Sequence, residues 1–210
     1  MDARSLVSTG VVLHGHACPP LVLGLRAGGL AMSVLGVGRA VGRELFAMVE
    51  MGSDHYAQGF ADGIQLATGC TFGKDLIIRV PHGKLGVRIA DQTSGRAVRV
   101  VPRREALERI ERSPWFRVCE ANRTLWKAPE SDTGAVIEQI LAVPDGELFS
   151  CSPVFPMRME DPVTVFESFV CDECGETALV GYRRNSGRSN LCIACDERRK
   201  ATAFLRARSG

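Results

Sequence analysis

The chain has 210 residues, 45% of them apolar and 24% charged, with a formal net charge of +2. That balance excludes wholesale disorder, and the charge is too mild to point to nucleic acid by itself. The length suits one large domain or a main domain with a small satellite, and the eight cysteines are too sparse for a disulfide-dense secreted scaffold yet enough for two sites.

Met1-Asp2-Ala3-Arg4-Ser5 has no basic stretch leading into an apolar one, so a secretory signal is not expected. His14-Gly15-His16-Ala17-Cys18 follows. Read as extended chain, it projects both imidazoles and the thiol to one side, because side chains alternate with period two. Pro19-Pro20 then opens a helix, proline being well tolerated in a first turn. Its apolar run, Leu21 to Gly42, is broken by Arg26 and Arg39 and reads as a buried helix, since a membrane span needs about 20 predominantly apolar residues. The expected setting is cytoplasmic, with no membrane partner, where thiols stay reduced.

Leu45, Ala47 and Val49 alternate within a strand pattern over Arg43 to Met51. Ser53-Asp54 is the expected N-cap of a second helix ending near Gly69, about fifteen residues long. On that helix His55, Gly59 and Asp62 share one face, with Gln65 nearby. Leu76 to Val80, Leu85 to Ala90 and Arg96 to Val101 are β-rich, and the turns between them predict an antiparallel meander. Helices are expected over Arg103 to Arg112, Trp115 to Lys127 and Thr133 to Ala142. A proline-spaced linker through Pro153, Pro156 and Pro162 comes next.

Cys171-Asp-Glu-Cys174 and Cys192-Ile-Ala-Cys195 form two C-x-x-C pairs with seventeen residues between them. Four thiolates at this spacing supply a closed structural zinc site, and the module is too small to fold on its core alone. Its basic helix from Asp196 to Arg208 is offset by Asp172, Glu173, Glu176, Asp196 and Glu197, which favours a solvated or protein-docking face over nucleic acid.

The His14/His16/Cys18 set suits zinc or another borderline-soft divalent metal. Spacing alone leaves metal binding, thiol chemistry and simple packing all open. Cys18 also stands where the proposed helix starts, a place expected to lower a thiol pKa. Gly69-Cys70-Thr71-Phe72-Gly73-Lys74 lacks the spacing and the hydroxyl of a phosphate-binding loop. Cys70, Thr71 and Lys74 stay as candidate ligand, hydrogen-bond donor and anion anchor.

These segments, in this order, resemble the FmdE family, which takes its name from formylmethanofuran dehydrogenase. The resemblance rests on His14-Gly-His-Ala-Cys-Pro-Pro20, Leu23-Gly24-x-Arg26, Asp62-Gly-Ile-Gln65, Gly69-Cys-Thr-Phe-Gly-Lys74 and the Gly83-Lys84 turn. It implies an α+β main domain with helices on a mainly antiparallel sheet over residues 1–165. A zinc-ribbon or treble-clef-like module over 166–210 follows it. It also implies a homodimer, a metal near the His-x-His-x-Cys segment, and association with molybdenum or tungsten formylmethanofuran dehydrogenase and one-carbon metabolism. In that family a cysteine usually stands three residues before the aspartate; here the position is Gly59, which leaves three readings open: His55, one helical turn earlier, substitutes as a ligand, the metal site is weakened, or the function has shifted.

The leading expectation is therefore a structural zinc in the C-terminal module and a second zinc or other divalent metal in the main domain. His16, Cys18 and Cys70 would hold the second metal, leaving one position open to a small molecule. Asp62, His14 or Cys18 would take catalytic roles, while Gln65, Thr71 and Lys74 would contact the ligand. Two alternatives stand beside it: a non-enzymatic metal carrier or assembly partner of a larger oxidoreductase, and a nucleic-acid-binding zinc regulator.

Overall fold

A computed structural model of the chain describes residues 2–53, 55–160, 164–186 and 189–208. It divides into two compact units, Met1–Met159 and Glu160–Gly210. In the first unit come α1 (Ala3–His14), α2 (Pro19–Leu35), β1 (Leu45–Val49) and α3 (Gly59–Thr68). Then follow β2 (Ile77–Arg79), β3 (Val87–Asp91), β4 (Arg96–Pro102), α4 (Arg104–Glu111), α5 (Pro114–Asn122), α6 (Glu130–Ala142), α7 (Asp145–Leu148), β5 (Phe149–Cys151) and β6 (Phe155–Pro156). The fold is α+β, with helices on a mainly antiparallel sheet.

The sheet order is β2-β1-β3-β4-β5, and β6 pairs with β4. The expected meander is corrected here. β1 lies between the two strands assumed to be neighbours, pairing parallel with β2 through Ala47 and Ile77 and antiparallel with β3 through Ala47 and Ile89. The cause is burial: Leu45, Phe46, Ala47 and Val49 are all inside, and a strand apolar on both faces belongs in the middle. The helix α3 supplies the crossover that a parallel pair requires.

Helix α2 is buried along nearly its whole length, and burying each Leu or Val side chain is worth roughly 1.5–3 kcal/mol. It packs on α3 with the backbones almost touching. A Cβ on Gly24 would fall 2.1 Å from the Phe60 carbonyl oxygen, and one on Gly63 would fall 2.2 Å from that of Leu21. Only glycine permits this approach at either position.

Several elements differ from expectation. Helix α2 ends at Leu35, short of Gly42, because Gly36 turns left-handed at φ 70° and caps it. A first helix, α1, forms where no element was expected and takes in His14, the first residue of the segment read as extended, with the Asp2 side chain accepting from Arg4 N–H at 3.0 Å as its cap. The start of α3 is Gly59 instead of Ser53, because residues 55–58 are held in a turn. There Gln58 Nε2 donates to the carbonyls of Gly52 and His55, both at 2.8 Å, and Ala57 N–H donates to His55 Nδ1. Asp54, half of the expected cap, lies outside the described residues. Helix α5 stops at Asn122 because Arg123 turns left-handed at φ 52°. Helix α6 begins early, at Glu130 behind Pro129.

The second unit holds β7 (Ser168–Val170), β8 (Thr177–Leu179), β9 (Arg183–Ser186), β10 (Ser189–Cys192) and α8 (Ile193–Arg208). It is two antiparallel hairpins, β7–β8 and β9–β10, followed by a helix. No described helix is long and apolar enough to cross a membrane.

Candidate metal centre

His14 is the last residue of α1, and Gly15 behind it adopts φ 91° so that its N–H caps Val11. Cys18 is the N-cap of α2, in extended conformation before Pro19 and Pro20. The chain therefore reverses between two helices. That turn gathers His14, His16 and Cys18 so that their ligand atoms all lie within 4.8 Å of one another. Tetrahedral zinc, with bonds of about 2.0–2.3 Å, asks for ligand atoms roughly 3.3–3.8 Å apart, a small side-chain adjustment away. The three donors converge, but through a helix–turn–helix path and not by strand alternation.

A directional relay holds the first imidazole. His14 Nδ1 lies 2.7 Å from Asp62 Oδ2, and Gln65 Nε2 donates to Asp62 Oδ1 at 3.1 Å. Gln65 Oε1 in turn accepts the Phe72 N–H at 2.9 Å. A carboxylate offers only acceptors, so the relay places the proton on Nδ1 and leaves Nε2 with its lone pair free. This is the outer partner that metal-bound histidines characteristically have. Asp62 touches the three-donor cluster through His14, and Gln65 through Asp62.

His16 Nε2 is buried and has no hydrogen-bond partner among the described residues. Burial, reinforced by neighbouring His14, lowers the His16 pKa and favours neutral imidazole, the form that binds metals. Cys18 is fully buried, and burial pushes its thiol up to about 12. The expected lowering by the helix start is overridden; the Leu21 backbone hydrogen bond works in that direction but is the smaller influence. The fourth side of the cluster is Gly59. A Cβ there would lie 2.9 Å from Cys18 Sγ and 3.0 Å from His14 Nε2. The donor set and the unpartnered nitrogen together fit a divalent metal, and glycine at 59 keeps a side chain off the two nearest donors.

Other expected site residues lie elsewhere. Cys70 is fully buried in the apolar core, its N–H donating to Thr68 Oγ1, and it is not part of the three-donor cluster. His55 is likewise outside it, in the turn before α3 and stacked on Tyr56 at 4.9 Å between ring centroids. Lys74 Nζ donates to the Val41 carbonyl at 3.2 Å, and the Thr71 carbonyl accepts the N–H groups of Lys74 and Leu76.

A cavity of about 570 Å³ adjoins the cluster, with His14, His16 and Gly59 in its wall. Tyr56, Phe116, Thr124 and Trp126 line much of the remainder. None of these four stands out in the sequence, since they come from two distant segments with no shared spacing.

In the second unit, Cys171, Cys174, Cys192 and Cys195 also lie with all four sulfurs within 4.8 Å of one another. The first pair sits on a knuckle between β7 and β8, where Gly175 takes φ 72° and its N–H reaches the Cys171 carbonyl at 2.9 Å. Cys192 ends β10 and Cys195 lies in the first turn of α8. Backbone N–H groups directed at Cys171 Sγ, including that of Cys192 at 3.3 Å, lower its pKa to about 6. Four convergent thiols can hold a metal ion in a closed, structural manner.

Fold and sites thus define an α+β domain with a His/His/Cys cluster beside a cavity, accompanied by a four-cysteine module. The family described as "FmdE, Molybdenum formylmethanofuran dehydrogenase operon" matches residues 13–150, and the chain belongs to it. The match spans the His14 cluster and stops short of the four-cysteine module. An FmdE-like protein of tungsten formylmethanofuran dehydrogenase type, from Syntrophus aciditrophicus, shares the fold. Its TM-score is 0.61 at 20% identity, over 92% of this chain and 91% of that one. A probable S-adenosyl-L-methionine-binding protein from Archaeoglobus fulgidus is 28% identical over 193 residues, 87% of this chain and 50% of the relative. The chain therefore spans about half the length of that curated relative.

Proposed function

We propose that the main domain is a metal-dependent small-molecule-binding domain whose metal, zinc in the first instance, is held by His14 Nε2, His16 Nε2 and Cys18 Sγ. The carrying observation is the convergence of one ligand atom each from His14, His16 and Cys18 within 4.8 Å of one another, with His16 Nε2 buried and unpartnered among the described residues. Cys18 supplies the soft donor, and Asp62 fixes the tautomer and orientation of His14. With three protein ligands in place, bound zinc supplies Lewis acidity to a ligand atom in its open position. The adjoining cavity is where that ligand binds, and its largely apolar wall limits competing water. The four-cysteine module holds a second, structural zinc. The exposed Val12 and Leu13 on α1 support a homodimer, and the family description, with its molybdenum formylmethanofuran dehydrogenase operon, supports service beside an oxidoreductase of that kind.

Metal content of the full chain tests the reading. Two zinc ions per wild-type chain are expected, one for Cys18→Ala, and one for Cys171→Ser/Cys174→Ser. A single ion per chain, unaffected by Cys18→Ala, would overturn the main-domain site.

A further inference from the structure

Three buried side-chain polar atoms lack a partner among the described residues, and two of them belong to residues in the wall of the cavity beside the metal donors: His16 Nε2 and Thr124 Oγ1. A buried polar atom left unpaired costs about 1–3 kcal/mol, so native structures rarely leave one. The metal accounts for His16. No described residue accounts for Thr124, which follows the left-handed Arg123 that ends α5. The residue lines the cavity, so a rotation about its χ1 turns the hydroxyl toward a group that enters.

The wall around it is aromatic. Tyr56 and Trp126 are 45% and 70% exposed, unusual for large rings, and both face this cavity. Phe116 packs edge-on against Tyr56 at 5.6 Å, and Trp126 meets the His16 ring edge-on at 6.3 Å. The aromatic surface is thus continuous with the metal donors. Glu120 and Arg123 also line the space, and their opposite charges favour a ligand without net charge. A Cβ at Gly59 would crowd Cys18 Sγ at 2.9 Å and His14 Nε2 at 3.0 Å, so glycine keeps the cavity side of the donors free of a side chain. A ligand atom in the cavity can approach the donors over the bare Gly59 backbone.

Building on the metal reading above, we propose that this cavity binds a neutral aromatic heterocycle bearing a metal-coordinating ring atom. Its ring packs on the Tyr56, Phe116 and Trp126 surface and a polar edge pairs with Thr124 Oγ1. The coordinating atom reaches the centre over Gly59. Aromatic contact adds selectivity for flat rings beyond simple burial.

Benzimidazole and imidazole are suitable probes, because both coordinate through a ring nitrogen and only the first carries the fused ring. Imidazole is the stronger base, so a preference for benzimidazole reports on the wall and not on the metal bond. Calorimetric titration of the zinc-loaded full chain should show benzimidazole binding at least about tenfold more tightly than imidazole. Trp126→Ala, at an exposed position, should abolish that preference and Trp126→Phe should restore most of it, with two zinc ions per chain in every case. Tyr56→Ala should reduce the preference independently, and Thr124→Val should weaken benzimidazole. Two metals per chain with equal binding of the two probes, or a preference that survives Trp126→Ala, overturns the proposal alone. One metal per chain and no binding of either probe overturns it together with the reading on which it rests.

Discussion

Replacing Asp62 with asparagine tests the relay behind His14 without changing the size of a side chain. In the native arrangement every hydrogen bond has a fixed direction. Phe72 N–H donates to Gln65 Oε1 at 2.9 Å, Gln65 Nε2 donates to Asp62 Oδ1 at 3.1 Å, and His14 Nδ1 faces Asp62 Oδ2 at 2.7 Å. An asparagine has one oxygen and one NH₂. If its oxygen accepts from His14, its NH₂ meets the NH₂ of Gln65. Flipping Gln65 to relieve that clash turns its own NH₂ toward Phe72 N–H. One donor–donor contact remains whichever way the amides turn, so at least one bond is lost and the imidazole loses its anionic partner. A lost outer partner of this kind typically costs 10–100-fold in metal affinity, about 1.4–2.7 kcal/mol. Zinc competition against a chromophoric chelator should show one ion per chain weakened by that factor, with the four-cysteine ion unchanged. Unaltered affinity at both sites would refute the argument that Asp62 works through His14.

Two further perturbations probe the frame. Gly24→Ala places a Cβ 2.1 Å from the Phe60 carbonyl oxygen, and since both sides of the contact are backbone, the helices must separate, at a cost of about 3 kcal/mol. Thermal unfolding should shift downward by roughly 6–12 °C, and the main-domain zinc should weaken as Asp62 moves off His14. Glu50, only 1% exposed, binds Arg88 at 2.9 Å and Arg99 through two bonds. The Arg99 hydrogen bonds hold its carboxyl below the usual range. A depressed carboxylate contributes stability that is present above its unfolded pKa of about 4.3 and is lost as pH falls through the folded value. The gap in melting temperature between wild type and Glu50→Gln should therefore be widest near neutrality and close below about pH 4.

The two centres differed in how far they could be read from sequence, for a physical reason. In the four-cysteine module each pair is local, Cys171 with Cys174 and Cys192 with Cys195, and the turn between the first two is short enough for spacing to imply geometry. The His14, His16 and Cys18 donors were legible as a set, because they too are close in sequence. Their geometry was not, since strand alternation and a turn between helices both bring such residues together. Cys70 looked equivalent to Cys18 as a thiol beside a helix end. Its direction depends on the Gly69 cap and the Thr68 hydroxyl, which turn it into the core. The aromatic wall was invisible for another reason. Tyr56 and Phe116 meet only through tertiary packing across the domain, and no periodicity links them. Strand order failed similarly, because pairing is decided by which strand is apolar on both faces and not by order along the chain.

One contact joins fold and centre. Gly24 and Gly63 let α2 and α3 meet at backbone distance, and the same approach carries Gly59 and Asp62, in the turn of α3 just before Gly63, against the end of α1. His14 then has its carboxylate on one ring nitrogen and the bare Gly59 backbone near the other. A residue larger than glycine at 24 or 63 would move both together. The centre thus depends on a helix crossing fixed by residues that never touch the metal donors, whereas the four-cysteine site depends on two local turns. Destabilising the main domain should cost it metal before it loses secondary structure, because a shift of about an ångström breaks a hydrogen bond but leaves helices intact. Zinc release measured alongside circular dichroism during a denaturant titration would separate the two events, with coincident transitions as the outcome that argues against this coupling.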